Sequence, residues 1–586
     1  MSPKITVLKL GGSVLHSEKD LPLAVHEIYN HWRRGEQVLV VVSAFNGTTD
    51  RLLEQTKSFG SEVHPEATAA LLLTGETTSA AMLAMALDRS GIPAKLLTPA
   101  QVGIRTTGDP LDADPVDANI ERITDELNSA VVIVSGFAGI NERGDPTLLG
   151  RGGTDFSALF LAEKLKARCI LIKDVDGMYS SNPANAADND PPRRFSQAHY
   201  DTALVLAKEL IQRKAVEFAR NNQQEFELAS FGKTYSTKIG NLRDEYAADA
   251  SHQRRLRVAL LGCGTVGLGV YERLKALPEL FEITGVINLH PDRAIERGID
   301  HRLIRHDAER LIREECDVVI ELIGGTDAAR RYIQRALGLG RHVITANKAL
   351  LSTEEKKFIS LANQNQVSIR YSASVGGALP ALETARYWSN FEPQAIKGII
   401  NGTCNFICDQ FETGMPLSSA VAKAQAAGFA EADPTLDLDG TDAAQKLILL
   451  ARAAFGKSLT LADVERRGVN HITPEKVIEA QRKGLTYRLI AECRKTESGV
   501  KASVRPVAVR NTDPLAQIRG AENCLVIETR HGNKVVRGRG AGRYATTEAV
   551  MADLFELRRS FETPKKTRSL PPLNNLDNTA ALGATA

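Results

Sequence analysis

A chain of 586 residues is too long to fold around one hydrophobic core, and its length calls for roughly three or four domains. Its apolar content of 43% and charged content of 25% are those of an ordinary soluble globular protein. The 73 basic residues are balanced by 71 acidic ones, which excludes an electrostatic footprint for nucleic acid or an anionic membrane, and no apolar run approaches the ~20 residues of a membrane span.

The chain reads directly into a strand, Ile5 to Leu10, so no signal or transit segment is expected. That strand ends in Lys9-Leu10-Gly11-Gly12-Ser13, where a lysine and exposed amides can neutralise phosphoryl oxygens. The G-x-x-x-x-G-K-[ST] pattern is absent, so the motif alone is equally a plain strand–turn. The short apolar runs Val38 to Val42, Ala130 to Ser135 and Cys169 to Lys173, each bounded by breakers, predict buried parallel strands of an α/β sandwich over residues 1–245. The polar stretch from Asp244 to Arg255 is the clearest linker, with 246–255 as the connection between domains.

Leu256 to Leu261 starts a second α/β unit, with a helix expected from Val270 to Leu277 and strands near 281–288, 317–323 and 342–345. This unit is assigned residues 256–390 and is expected to be completed by 536–560, where Glu548 to Arg559 reads as a helix. Residues 391–535 mix helical and strand-like runs such as Val500 to Val509, as in an α+β domain. The tail 561–586, rich in Pro, Asn, Thr and Ala, is expected to be disordered. Seven cysteines lie scattered without a Cys-x-x-Cys pair, which points to reduced thiols, a cytoplasmic setting and no zinc.

Between the strand at Leu256 and its helix lies Gly262-x-Gly264-x-x-Gly267. Glycines are needed there because the backbone must turn tightly, approach a pyrophosphate and let the helix N-terminus face the anion. Gly262, Gly264, Thr265, Val266 and Gly267 are therefore candidate cofactor ligands. The acid expected at the end of the next strand is replaced by Asn288, and Arg293 follows; this leans towards NADP, while Asp292 keeps NAD open. Hydride reduction of a carbonyl leaves an alkoxide that needs a positioned proton donor, and Lys348 and Lys446 are the candidates. Asp442 and Lys446 are four apart on one helix face, a spacing that by itself more often marks a solvated surface pair. Glu431, Asp433, Asp437 and Asp439 crowd the loop before them, as a substrate ammonium and hydroxyl would require.

Residues 256–560 resemble homoserine dehydrogenases, which interconvert aspartate 4-semialdehyde and homoserine. The resemblance is carried by Gly262 to Gly267, Thr345-Ala-Asn-Lys-Ala-Leu350, Ser374 to Pro380, Asn401-Gly-Thr-Cys-Asn405, Gly428 to Pro434 and Asp439 to Lys446. It implies Lys348 and Lys446 as the proton-transfer and carbonyl-binding lysines, with Asp442 orienting Lys446 or a water. It also implies Glu431, Asp437, Gly402 and Thr403 as holders of the amino-acid part of the substrate. Gly540 to Thr547 resembles a late cofactor loop that includes Gly542, and Lys348 also borders the cofactor. The family commonly has a glutamate beside a monovalent-cation site in the segment Tyr371-Ser372-Ala373; Ser372 stands in its place, which leaves the metal unassigned.

Residues 4–240 resemble the catalytic domain of aspartokinase, within the amino-acid kinase family, through Val42 to Gly47, Gly75-Glu76, Leu149-Gly-Arg-Gly-Gly-Thr-Asp155 and Lys173-Asp-Val-Asp-Gly-Met-Tyr179. The resemblance implies that Lys9, Gly11 and Gly12 meet the transferred phosphoryl, that Arg151 clamps the substrate α-carboxylate, and that Glu76 and Ser43 assist. Asp155 orients the lysine, Asp174 and Tyr179 contact ATP, and Mg accompanies the nucleotide. The opening is one residue shorter than usual, Asn182-Pro-Ala184 replaces Asp-Pro-Arg, and the later nucleotide-binding lysine is not recognisable, Lys214 being the nearest candidate.

The two halves together resemble bifunctional aspartokinase–homoserine dehydrogenases, homo-oligomers (dimer or tetramer) that act on small molecules in threonine, methionine and lysine synthesis. A non-catalytic N-terminal module, or a kinase for another small amino acid, are the alternatives. The regulatory modules such enzymes usually insert between their halves have no room here, so threonine and lysine are expected to inhibit only by weak competition.

Overall fold

The computed structural model describes residues 4–60, 63–183, 191–247, 254–314 and 316–562. The tail from 563, most of the linker and Ala184 lie outside the described residues.

The N-terminal half is built on a nine-stranded sheet with Ile5–Leu10 near its centre, flanked in parallel by Gln37–Val42 and Arg168–Ile172. These strands are continuous apolar runs because helices cover both faces of the sheet. Leu10 is level with Val42 on one side and Ile172 on the other. The next residues along the three chains, Gly11, Ser43 and Lys173, therefore emerge together at the carboxyl edge, where open parallel sheets place their ligands. The sheet continues to Glu245–Tyr246, an edge strand formed by residues at the start of the polar stretch. The helix Pro65–Arg89 is long and apolar enough to cross a membrane, by length and composition alone, although half of its apolar window is buried within the protein.

The second half begins with a six-stranded parallel sheet, in the order Ile304–Arg305, Phe281–Ile287, Leu256–Leu261, Val318–Glu321, His342–Thr345, Ile369–Arg370. This is the Rossmann arrangement. The helix after the glycine turn spans Thr265–Lys275, five residues ahead of the Val270 expected from sequence, because Gly267 and Gly269 lie inside it rather than in the turn. Another six-stranded sheet, mostly antiparallel, carries Ala395–Ile399 near its middle and ends on Glu522–Thr529 and Gly532–Arg539. Residues 536–539 thus belong to this sheet and not to the Rossmann unit. The chain returns only after Gly540 and Gly542, as a helix Arg543–Glu562, longer at both ends than 548–559, which packs on Thr265–Lys275.

The two halves share a polar seam. Arg33, which caps the C-terminus of the helix Leu21–Trp32, donates from Nη2 to Glu383 at 2.7 Å, Asp553 at 3.1 Å and Ser372 Oγ at 3.2 Å. His26 lies 3.3 Å from Glu548, which also holds Arg273 at 2.7 Å. The Arg539 amide donates to the Gly91 carbonyl at 2.9 Å, and a Cβ on Gly91 would collide with the Arg539 side chain.

Candidate active sites

The Thr441–Phe455 helix starts after Gly440, whose φ of +84° sets its left-handed entry, and places Asp442 and Lys446 one turn apart on its buried face. Lys446 Nζ lies 2.7 Å from one oxygen of Asp442 and donates to the Ile400 carbonyl at 2.9 Å. Lys348, first residue of the Lys348–Gln364 helix, lies 3.1 Å from the other oxygen. One carboxylate thus holds two ammonium groups that arrive from different domains. The Asp442 side chain is 10% exposed, that of Lys446 9% and that of Lys348 37%, so this is not the solvated surface pair that spacing alone favoured. Burial pushes the Asp442 carboxyl up, but the two ammonium groups override it and hold it well below the usual carboxylate range. Burial pulls Lys348 down, and Asp442 more than offsets this and raises it, with Asp437 and Glu431 adding to the shift.

Asn401 was not singled out in the sequence as a site residue, yet it ties the cluster together. Its Nδ2 donates to Asp437 at 2.6 Å and Asp442 at 2.8 Å, while its Oδ1 caps the Gly402–Phe411 helix through the Cys404 amide. Asp437 is raised, by burial first and by the nearby Asp442 second. Thr403 donates to the Phe429 carbonyl at 2.6 Å, and Glu431 stays exposed.

Glu321, also not singled out, is fully buried at the end of its strand, and burial pushes its carboxyl up to about 7. It accepts from Thr345 Oγ1 at 2.5 Å and the Ile323 amide at 2.8 Å; Thr345 in turn accepts from the Asn347 amide, and Asn347 caps the helix that Lys348 begins.

The glycine turn fits a dinucleotide. Gly262 has φ +96°, and a Cβ there would collide with the Leu322 carbonyl, while one on Gly267 would collide with the Gly262 carbonyl. Space at Gly264, Gly324 and Gly325 is open. Thr265 and Val266 form the helix's first turn, with Thr547, which lies in the helix Arg543–Glu562 and not in the loop expected over 540–547, packed on Gly269. We expect Gly267→Ala to abolish cofactor binding and homoserine oxidation while leaving the N-terminal half intact. An unchanged cofactor KM in that variant would show that this turn does not hold the pyrophosphate. Asn288 donates to the His290 carbonyl at 3.2 Å, and Arg293 is exposed on the next short helix.

At the carboxyl edge of the N-terminal sheet, Lys9 Nζ lies 2.8 Å from Asp155, in the first turn of the Gly153–Leu165 helix. A second lysine meets the same carboxylate: Lys173 Nζ lies 2.9 Å from its other oxygen and donates to the Leu210 carbonyl at 2.5 Å. Lys9, Asp155 and Lys173 are all buried. Glu76 is buried with Oε2 unpartnered, and burial pushes its carboxyl up to about 8 against the pull of the Ala44 amide and Lys9. Ser43 accepts from Thr154 at 3.3 Å. Arg151 is exposed and paired with Asp50 at 3.1 Å, Asp174 is exposed, and the Tyr179 hydroxyl donates to Asp176 at 2.7 Å. Lys214, the lysine nearest the expected nucleotide segment, is instead engaged with Asp112 and Asp114 at 3.0 and 2.9 Å.

Comparison with known families places three models along the chain: amino acid kinase family over residues 4–228, homoserine dehydrogenase NAD binding domain over 262–372, and homoserine dehydrogenase over 380–555. The homoserine dehydrogenase of Lactococcus lactis is 34% identical over 317 residues, covering 52% of this chain and 74% of that protein. This chain belongs to the homoserine dehydrogenase family. The Bacillus subtilis homoserine dehydrogenase is 32% identical over 52% of this chain and 74% of its own length. A solved homoserine dehydrogenase from Thiobacillus denitrificans superposes with TM-score 0.50 at 31% identity, over 53% of this chain and 74% of that one.

The chain is therefore a homoserine dehydrogenase with an amino-acid kinase domain fused ahead of it, and its Rossmann domain binds a nicotinamide dinucleotide. In this homoserine dehydrogenase the Ser372 hydroxyl lies 2.5 Å from Glu383 and 2.7 Å from Asp553, its one proton shared between them, and Arg33 supplies the positive charge beside them. No group of three or more His, Cys, Asp or Glu side chains among the described residues could hold a metal ion.

Proposed function

We propose that the Lys348–Asp442–Lys446 cluster is the proton-handling centre of the dehydrogenase and that the N-terminal half is an aspartokinase. The observation that supports the first reading best is one buried carboxylate holding two lysines from different domains. A nicotinamide dinucleotide held at the Gly262–Gly267 turn would supply hydride chemistry at the carbonyl carbon of aspartate 4-semialdehyde and its reverse at homoserine. One lysine ammonium then delivers a proton to the carbonyl oxygen as it becomes the hydroxyl, while the other polarises that oxygen, and Asp442 keeps both aimed. Asp437 and Glu431 face the substrate ammonium, with Gly402 and Thr403 closing on its carboxylate end.

NADP is the preferred cofactor in this reading, supported by Asn288 in place of an acid and by Arg293 on the following helix. Arg293→Ala is expected to raise the KM for NADP at least tenfold while that for NAD changes less than threefold. Equal effects on the two would remove Arg293 from the 2′-phosphate. The primary test is homoserine-dependent reduction of NADP or NAD followed at constant protein concentration. A chain that reduces neither in the presence of homoserine would contradict the dehydrogenase centre.

In the kinase half, Lys9, Gly11 and Gly12 receive the transferred phosphoryl, with Asp174 and Tyr179 on the ATP side and Mg arriving with the nucleotide. Ser43, Glu76 and Arg151 hold aspartate. The β-carboxylate is already ionised at neutral pH, so positioning and charge neutralisation suffice without a general base. The reduced, buried cysteines suit a cytoplasmic setting. The exposed Tyr387 and Phe391, packed beside the half-buried Trp388, form a surface on which a homo-oligomer would pack.

A further inference from the structure

We propose that Lys173 is a catalytic residue of the kinase half, the second ammonium on the transferring phosphoryl group, paired with Lys9 across Asp155. This rests on the kinase reading above and assigns it a residue outside the glycine loop.

The placement follows from the sheet. Ile172 is level with Leu10, so Lys173 leaves the edge beside Gly11 and Gly12, the loop whose amides face the phosphate position. Lys9 and Lys173 approach the two oxygens of one carboxylate, at 2.8 and 2.9 Å, so the pair is aimed at a common point rather than spread over the surface. Two buried ammonium groups on one buried carboxylate leave one net positive charge in the site. Burial, with Lys9 as a like-charged neighbour, brings the Lys173 ammonium down to about 8 despite Asp155. A structural ion pair needs one lysine; the second is a cost to folding unless an anion arrives to meet it. Lys214, the lysine nearest the expected nucleotide segment, is held by Asp112 and Asp114.

During transfer an oxygen of the substrate β-carboxylate attacks the γ-phosphorus and forms the new O–P bond. The bond from that phosphorus to the bridging oxygen breaks, and ADP leaves with the electron pair; no proton moves. Charge spreads over the equatorial oxygens, and Lys9 and Lys173 would stabilise it from two sides.

The test uses the full chain with Lys173→Met and Lys173→Arg, and homoserine oxidation within twofold of wild type confirms that each variant is folded. Binding of Mg·β,γ-imido-ATP is expected to weaken at least tenfold in Lys173→Met and less than threefold in Lys173→Arg. Formation of aspartyl hydroxamate from ATP, aspartate and hydroxylamine is expected to lose at least a hundredfold in kcat in Lys173→Met, with the aspartate KM within threefold. Nucleotide affinity and hydroxamate kcat both within twofold of wild type in Lys173→Met would overturn the assignment. Nucleotide binding that depends on Lys173 in a chain that yields no hydroxamate would instead overturn aspartate as the substrate and uphold the phosphate contact.

Discussion

Lys446→Ala is expected to lower the kcat of homoserine oxidation by about 10²- to 10⁴-fold, the range associated with loss of a positioned proton donor. Lys348→Ala should fall in the same range. The KM for the dinucleotide should stay within about twofold in both, because the proposed pyrophosphate site is the glycine turn between the Leu256–Leu261 strand and the helix after it. The two variants should differ in stability. Removing Lys446 leaves the buried Asp442 and the Ile400 carbonyl short of a donor, whereas Lys348 is partly exposed and its loss leaves Asp442 paired. Near-wild-type turnover in both variants would show that the proton comes from elsewhere.

Arg33→Met, a change in the kinase half, is expected to damage the dehydrogenase half. The side chain is 6% exposed and faces Asp553, at 1%, and Glu383, at 18%. Breaking a buried pair by removing one partner typically costs ~3–5 kcal/mol, because the remaining charge has no counterion. Asp553 then stands beside Glu383 with Ser372 as the shared donor, and its carboxyl, already raised by burial, has lost the charge that opposes the shift. The variant should lose homoserine oxidation on mild heating well before wild type, and Arg33→Met with Asp553→Asn should recover part of the loss. A thermal inactivation midpoint unchanged by Arg33→Met would show that the seam contributes nothing to the stability of the second half.

Much of this architecture was legible in the chain. The Rossmann turn could be read because Gly262 and Gly267 answer to steric needs that other residues cannot meet, and the Thr441–Phe455 helix because glycine punctuates both ends. The start of the Thr265–Lys275 helix was misplaced because glycine is read as a breaker, whereas Gly267 and Gly269 lie inside the helix for close packing on Gly262 and Thr547. Asn401 and Glu321 were passed over because an amide and a lone acid carry no spacing signature; their importance comes from which loops meet in space. The same holds for Lys173, whose partner Asp155 lies eighteen residues away in sequence and whose neighbour Lys9 lies on the adjoining strand. Arg33 could not be read as an interdomain residue at all, since its partners are some 340 to 520 positions later.

The measurement that bears most directly on two chemistries in one polypeptide is hydroxamate formation from ATP and aspartate by a preparation already shown to oxidise homoserine. Hydroxamate should accumulate in step with ADP, and Lys9→Ala and Arg151→Ala should abolish it without altering homoserine oxidation. A preparation that oxidises homoserine and binds ATP but forms no hydroxamate from aspartate would contradict the account and leave the N-terminal half as a binding or oligomerisation module.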